Sequence, residues 1–237
     1  DIAAIKGAIT PHTKAVLINS PNNPSGVVYT EESIKQLCKV LQECKNNGQT
    51  IYLISDEPYR ELVFGGVKVP YIMNYYADSI VCYSFSKSLS LPGERIGYIA
   101  VNPAMGNAGE VYAAVCGAGR ALGYVCAPSL FQQIIPRVIG KTSDISVYER
   151  NRDVLSAALQ SYGYEVVKPD GAFYLFVKSL ESDSDAFAER AKEHELLIVS
   201  AKSFGVDGYV RISYCVSPDM ISRSLPAFKA LSESYGK

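Results

Sequence analysis

The chain has 237 residues, of which 48% are hydrophobic and 20% are charged, and its formal net charge is -1. This apolar content is enough for one large domain, or for one domain with a smaller one beside it. A near-neutral charge balance supplies no basic field for nucleic acid or for an anionic membrane, so we expect a small molecule or another protein chain as the partner.

The cysteine and histidine content argues against disulfides and against a zinc site. None of the six cysteines forms a CxxC pair, and the chain has only two histidines. The most apolar stretch, Val111 to Phe131, is interrupted by Arg120 and by several glycines, so no segment has membrane-spanning character. The composition therefore predicts a soluble, cytoplasmic protein with reduced cysteines.

The first half of the chain predicts a mainly parallel sheet. Residues 1–9 are typical of the end of a helix and a connection that lead into a buried strand, which suggests a piece of a longer protein. Further along, short apolar runs alternate with a helical pattern that begins after Thr30 and ends at Asn47-Gly48. The predicted strands are Ala15–Asn19, Ile51–Ile54, Ile80–Tyr83 and Gly97–Val101.

The second half predicts a smaller domain of mixed helices and strands. A long helix is expected over Ser143 to Tyr162, another near Asp185 to Glu193, and a last one from Ser217-Pro218, a cap followed by proline. Between them, short strands are predicted at Tyr164–Val167, Phe173–Val177, Leu196–Val199 and Tyr209–Cys215. We place the boundary near residue 142, which gives domains of residues 1–142 and 143–237.

Polar clusters follow three of the predicted strands. In open α/β sheets ligands bind beyond the carboxyl ends of the strands, which is where these clusters lie. Lys87, flanked by hydroxyls, could form a Schiff base with an aldehyde cofactor, and its amine would be kept neutral by partial burial and a nearby cation. The clusters are Asn19 to Gly26, Asp56 to Tyr59, and Ser84 to Lys87 with Arg95 eight residues on.

Each of these residues also has an ordinary explanation when it is taken alone. A lone loop lysine is usually solvated, and an aspartate after a strand is usually a cap. Taken together and in order, Ser84, Ser86 and Arg95 suit a phosphate, and Asp56 suits a protonated pyridine nitrogen. Asn23 and Tyr59 could each donate a hydrogen bond to a phenolic ring oxygen.

The chain resembles the class I/II aminotransferases of the aspartate aminotransferase fold, which are pyridoxal-phosphate (PLP) enzymes of fold type I. The similarity runs along the whole chain in family order. The matching segments are Asn19-Ser-Pro-Asn-Asn-Pro-Ser-Gly26, Asp56-Glu-Pro-Tyr59, Ser84-Phe-Ser-Lys-Ser88, Gly93-Glu-Arg-Ile-Gly97 and Tyr209-Val-Arg-Ile-Ser213.

The resemblance implies an α/β fold, with part of a mainly parallel large-domain sheet followed by a smaller α+β domain. It implies that Lys87 is the Schiff-base lysine and the proton shuttle, and that Asp56 pairs with the ring nitrogen of pyridoxal 5'-phosphate. It also implies that Arg211 binds the α-carboxylate of an amino acid or 2-oxoacid, with Asn23 beside it. The remaining roles it implies are ring-oxygen contacts for Asn23 and Tyr59 and phosphate contacts for Ser84, Ser86 and Arg95.

The same resemblance implies that parts of the family's fold lie outside this sequence. The N-terminal arm, the glycine-rich turn that also binds phosphate and the aromatic residue that stacks on the ring are absent. We therefore expect an exposed sheet edge and an uncovered apolar face, and a chain that is inactive by itself. The intact protein is expected to be a homodimer.

Two other functions remain open at this point. A carbon–sulfur lyase or a synthase of the same fold would use the same cofactor, although Asp56 to Tyr59 is closer to the aminotransferase form. A lyase needs no 2-oxoacid acceptor, so product analysis without acceptor separates these two. The third possibility is a PLP-sensing domain of a transcription regulator, for which a basic helix-turn-helix segment would be expected upstream.

Overall fold

The computed structural model describes residues 1–236, and by its internal contacts this part of the chain divides into two compact units. The first unit comprises residues 1–20, 29–61 and 68–143, and the second comprises residues 21–28, 62–67 and the described residues from 144 onward. The second unit thus takes two short segments from the first half of the sequence, and the later change of unit falls between Ser143 and Asp144.

The first unit is built on a four-stranded sheet with the strand order β1-β2-β3-β4. The first three strands run parallel, and β4 runs antiparallel to β3. All four predicted strands are present, and the mainly parallel α/β arrangement is confirmed. Their bounds are β1 Ala15–Asn19, β2 Tyr52–Asp56, β3 Ser79–Ser84 and β4 Gly97–Val101.

One face of this sheet packs on helix α2 (Glu31–Asn46). The predicted N-cap is confirmed, because the Thr30 hydroxyl oxygen accepts a hydrogen bond from the Ser33 amide at 3.1 Å. Leu41 and Leu53 are completely buried in the cluster that joins the helix to the sheet. Truncating such a leucine to alanine typically costs about 2–5 kcal/mol, so this cluster fixes the sheet that carries the polar residues.

The opposite face of the sheet is partly open. Leu17 on β1 is 67% exposed and Ile99 on β4 is 51% exposed. These two side chains lie on the face that also carries Asp56, as the pairing of the strands shows. The expected uncovered apolar face is therefore present in the first unit.

Four more helices belong to the first unit. Helix α4 covers the first half of the apolar stretch noted in the sequence and has no fully buried residue, although Val115 and Cys116 are partly buried and line a cavity with Cys82. Nowhere between residues 1 and 236 does a helix combine the length and the apolar character needed to cross a membrane. The four helices are α1 Ile2–Ala8, α3 Phe85–Ser88, α4 Ala108–Ala121 and α5 Ser129–Val138.

The second unit contains an antiparallel sheet with the strand order β5-β6-β8-β7 and three helices. The predicted long helix and the Ser217 cap are confirmed, since the Ser217 hydroxyl oxygen accepts from the Met220 amide. The elements are β5 Val166–Val167, β6 Tyr174–Lys178, β7 Val199–Ser200, β8 Tyr209–Ser213, α6 Ile145–Ser161, α7 Ser184–Glu193 and α8 Pro218–Glu233.

The predicted strand Leu196–Val199 is largely wrong, because only Val199 and Ser200 pair with β8. Leu196 and Ile198 are buried while Leu197 is 86% exposed, so the apolar alternation is real. An alternating apolar pattern indicates which side chains are buried. It does not show that every residue is hydrogen-bonded to a neighbouring strand.

Candidate active site

Two neighbouring strands of the first unit carry polar residues at their carboxyl ends. Strand β2 ends at Asp56 and β3 ends at Ser84. Asp56 is paired with Cys82, and Ser84 follows Cys82 by two residues, so Asp56 and Ser84 lie on the same face of the sheet. The parallel arrangement therefore brings two of the predicted site residues to one edge and one face.

The Asp56 carboxylate is oriented by a neighbouring strand end. The side-chain Nδ2 of Asn19 donates to Asp56 Oδ2 at 3.2 Å and to the Asp56 carbonyl oxygen at 2.9 Å. Half-burial raises the pKa of Asp56, because desolvation disfavours its charged form. From the sequence, Asn19 was recognised only as the first residue of the Asn19 to Gly26 motif. Its contact with Asp56 follows from the register of β1 against β2, which pairs these two residues.

The next residue, Glu57, points into the other side of the unit. It is buried, and Arg60 Nε donates to its Oε2 at 2.6 Å. Burial raises the pKa of Glu57, and the Arg60 guanidinium partly offsets that shift. Adjacent acidic residues thus have separate surroundings, and only Asp56 lies on the face with Ser84.

Helix α3 begins directly after β3 and carries the candidate lysine. Ser84 caps it, since its hydroxyl oxygen accepts from the Ser86 amide at 3.2 Å, and the two hydroxyls are 2.8 Å apart. Lys87 is half-buried in the same turn, and its Nζ lies 6.0 Å from the centre of the Tyr59 ring. The structure therefore brings Lys87, Tyr59, Ser84 and Ser86 into one neighbourhood.

Arg95 follows on a loop with an unusual backbone. Its φ is +51°, in the left-handed region, and its exposed side chain donates to the Pro92 carbonyl oxygen at 2.6 Å. Arg95 lines a cavity of about 680 Å³ together with Ser84, Cys82, Gly97 and Arg120. Arg95 and Ser84 thus share a cavity, although in this structure the guanidinium bonds to the backbone of its own loop.

A hydrogen-bonded group beneath helix α3 was missed in the sequence. The Tyr83 hydroxyl lies 2.7 Å from Glu61 Oε2 and 2.8 Å from Ser88 Oγ, and Tyr83 and Ser88 are buried. Burial raises the pKa of Tyr83. Ser88 follows Lys87 directly, so this group holds the end of the helix that carries the lysine. Strand alternation places Tyr83 on the core face, but nothing in the sequence pattern pairs it with Glu61.

The second unit brings together the other two predicted residues, Asn23 and Arg211. Arg211 lies on β8, and its Nη1 donates to Asn23 Oδ1 at 3.0 Å, although 188 residues separate them in sequence. The guanidinium carbon also lies 4.5 Å from the centre of the Tyr174 ring and 5.0 Å from that of Phe204. No local pattern in the sequence singles out Phe204, which lies seven residues before Arg211.

The loop that carries Asn23 is fixed to the turn before β6. The Gly26 carbonyl oxygen accepts from the amides of Asp170 and Gly171, both at 2.9 Å. Gly26 has a φ of +71°, and a Cβ built there would lie 2.3 Å from the Cβ of Pro169. Glycine is therefore required for this close approach, which joins two sequence motifs within the second unit.

A family model, a relative in sequence and solved structures all match nearly the whole of this chain. The family model described as "Aminotransferase class I and II" matches residues 1–228. A probable aspartate/prephenate aminotransferase of Aquifex aeolicus is 32% identical over 97% of this chain and 60% of its own length. An amino transferase structure from Eubacterium rectale is 57% identical and has a TM-score of 0.96. The match covers 100% of this chain and 60% of that one.

A further structure, aspartate aminotransferase from Thermus thermophilus with maleate, is 28% identical, with a TM-score of 0.79 over 98% of this chain and 60% of that one. The chain thus spans about 60% of the length of each of these relatives.

Proposed function

Because this chain belongs to the family of class I and II aminotransferases, we propose that the protein it comes from is a PLP-dependent aminotransferase. The reaction would transfer an amino group from an L-amino acid to a 2-oxoacid. The observation that carries the proposal is the arrangement in the first unit, where Asp56 and Ser84 end adjacent strands on one face and Lys87 follows in the next turn.

The residues of the first unit fit the cofactor chemically. Asp56 is a half-buried carboxylate whose pKa is raised by burial, and a protonated ring nitrogen beside it would offset the cost of its charge. Two hydroxyls 2.8 Å apart, from Ser84 and Ser86, suit a phosphate group, with Arg95 on the same cavity as Ser84. Tyr59 would contact the ring oxygen.

PLP supplies an electron sink that stabilises negative charge at the substrate α-carbon. The chain's own residues provide binding and proton transfer. Lys87 Nζ would hold the cofactor between turnovers and take up the α-proton of the bound amino acid. Asp56 would keep the ring nitrogen protonated, and Asn19 would keep the Asp56 carboxylate in position.

The second unit would bind the substrate carboxylate through Arg211. A guanidinium can donate two parallel hydrogen bonds to a carboxylate, and charge-assisted bonds of this kind contribute about 1.5–3 kcal/mol each. Asn23 Oδ1 accepts one N–H of Arg211, so the two residues proposed to bind substrate are joined within the second unit. The family's pattern assigns Asn23 a contact with the ring oxygen as well, and we include that contact in the proposal.

The proposal covers the intact protein, of which this chain would be about 60% by comparison with its relatives. We propose that the intact protein is a cytoplasmic homodimer, with residues 1–142 and 143–237 contributing to a large and a small domain. We also propose that the chain alone is inactive, since the open face of its sheet leaves apolar side chains such as Leu17 exposed.

The test is covalent labelling. The protein is incubated with PLP, reduced with borohydride and digested, and the labelled peptide is identified by mass spectrometry. We expect a label on Lys87 at close to one equivalent, absent from Lys87→Ala and retained in Lys45→Ala, a second partly exposed lysine. Release of a 2-oxoacid from an amino donor then identifies the half-reaction.

A label spread over surface lysines and unchanged in Lys87→Ala would overturn the assignment. A product that forms at full rate without any 2-oxoacid acceptor would favour a lyase over an aminotransferase. The same two measurements on this chain and on the intact protein test whether the chain alone is inactive.

A further inference from the structure

We propose that Phe204 and Tyr174 are positioning residues that hold the Arg211 guanidinium in the orientation needed to bind a carboxylate. The inference rests on the proposed function, because it deepens the role assigned to Arg211. Tyr174 and Phe204 would not touch the substrate's carboxylate through polar atoms, and they would act through the plane of the guanidinium.

The topology brings an aromatic ring to Arg211 from the element on each side of its strand. Strand β8 lies between β6 and β7 in the sheet. Tyr174 is the first residue of β6, and Phe204 ends a short 3-10 helix, Ala201–Phe204, that follows β7 directly. The ring centres lie 4.5 Å and 5.0 Å from the guanidinium carbon.

The hydrogen bond from Arg211 to Asn23 restricts rotation of the guanidinium within its own plane. Asn23 Oδ1 accepts from Nη1 at 3.0 Å, which uses one N–H and leaves the remaining donors for other acceptors. Rings against the guanidinium restrict tilting, because cations and planar guanidinium groups are attracted to aromatic faces. An arginine with its plane and its rotation both constrained loses less side-chain freedom when it binds a carboxylate.

The surroundings favour positioning over simple packing. Arg211 is half-buried, and the neighbours just described are neutral, so they leave its charge uncompensated for an incoming anion. A leucine at position 204 would preserve most of the apolar volume and remove the aromatic face. Comparing aromatic and aliphatic side chains at this position therefore separates the two roles.

The experiment measures the affinity of the PLP-loaded protein for two unreactive carboxylates, maleate and 3-phenylpropionate, by calorimetry. We expect Phe204→Leu to weaken both about tenfold, the size of effect that aromatic–cation contacts of this kind produce. Phe204→Tyr retains the aromatic face and should stay within about twofold of the parent. The affinity for PLP should be unchanged in both variants.

A second readout is independent of ligand and cofactor. The rings should shift the NMR signals of the Arg211 δ-methylene protons upfield, and Phe204→Leu should reduce that shift while Phe204→Tyr keeps it. Tyr174→Phe and Tyr174→Leu form the matching pair on the other side. Unchanged Arg211 signals in Phe204→Leu would overturn the inference, and so would equal weakening by the tyrosine and leucine variants.

The failure of the proposed function gives a different pattern. If Arg211→Met leaves the affinity for both carboxylates unchanged, Arg211 is not the carboxylate site and the proposed function loses its substrate-binding residue. If Arg211→Met abolishes binding while Phe204→Leu has no effect, the site stands and only the positioning role is wrong.

Discussion

The two units build their parts of the proposed site by different routes. In the first unit, Asp56, Ser84 and Lys87 lie within 32 residues of sequence, and parallel strand pairing alone brings the first two together. In the second unit, Arg211 depends on a partner 188 residues away in sequence and on a ring from a separate 3-10 helix. The first arrangement follows from secondary structure, and the second follows from tertiary packing.

The electrostatics of the two units differ in the same way. Asp56 is half-buried, and burial raises its pKa because desolvation disfavours the charged carboxylate. Arg211 is held by an amide oxygen and two aromatic rings, which stabilise a cation without neutralising it. The first unit therefore presents a carboxylate suited to a cationic partner, and the second presents a cation suited to an anionic one.

The largest expected effect comes from removing the Asp56 charge. Asp56→Asn should lower kcat/KM of the PLP-loaded, intact protein by about 10²- to 10³-fold, the range for losing one preorganised electrostatic contact. The same variant should make the cofactor-free chain more stable at neutral pH. A raised pKa means that Asp56 favours folding only when protonated, so this contribution is lost as pH rises through its folded-state pKa.

The stability difference between Asp56→Asn and the parent should therefore be absent at about pH 3, below the ordinary aspartate pKa, and grow toward pH 7. Urea unfolding at several pH values measures it. Asp78→Asn is the control, since Asp78 is a buried carboxylate directly before β3 that is paired with Lys45. An Asp78 variant that lost activity as strongly would contradict a specific role for Asp56.

The next-largest effect tests how far the second unit depends on residues 21–28, a segment that it takes from the first half of the sequence. Gly26→Ala should destabilise the protein by about 3 kcal/mol, because a Cβ would overlap Pro169 and the positive φ disfavours alanine. Carboxylate binding should weaken as well, since the loop carries Asn23. Thermal unfolding and calorimetry measure the two effects.

Gly48→Ala provides the matched control for Gly26→Ala. Gly48 also has a positive φ, +85°, but nothing lies within 4 Å of a Cβ built there. It should cost only about 1 kcal/mol, the strain of the backbone alone. Equal losses in the two variants would mean that the contact between the Asn23 loop and Pro169 contributes little.

This contrast also explains what the sequence could predict. The strand ends at Asp56 and Ser84 and the cap at Thr30 depend on neighbours within a few residues, and the structure confirms these elements. The segment near Leu196 was predicted as a strand because alternation records burial but not hydrogen-bond partners. The ring of Phe204 beside Arg211 depends on where separate elements pack, which no local pattern encodes.

A smaller effect is expected beneath the lysine helix. Tyr83→Phe removes the hydroxyl that joins Glu61 to Ser88, and loss of this partly buried contact should cost about 1–2 kcal/mol. The label on Lys87 should also form more slowly, because Ser88 adjoins it. Tyr98→Phe is the control, since Tyr98 stacks on Tyr83 but is 49% exposed. An identical loss in Tyr98→Phe would mean that the loss in Tyr83→Phe does not come from the contacts of its hydroxyl with Glu61 and Ser88.

The smallest effect is expected at the N-cap of α2, a contact between residues that are close in sequence. Thr30→Ala removes the oxygen that accepts from the Ser33 amide at the start of α2, which should cost about 1 kcal/mol. Thr50→Ala changes the same atoms at an exposed position between α2 and β2, and it should stay within about 0.5 kcal/mol of the parent. Neither variant should alter carboxylate affinity, because Thr30 lies in the first unit and Arg211 in the second. If the cap variant did weaken carboxylate binding, the two units would be energetically coupled, and the local and distant parts of the proposed site could not be treated as independent.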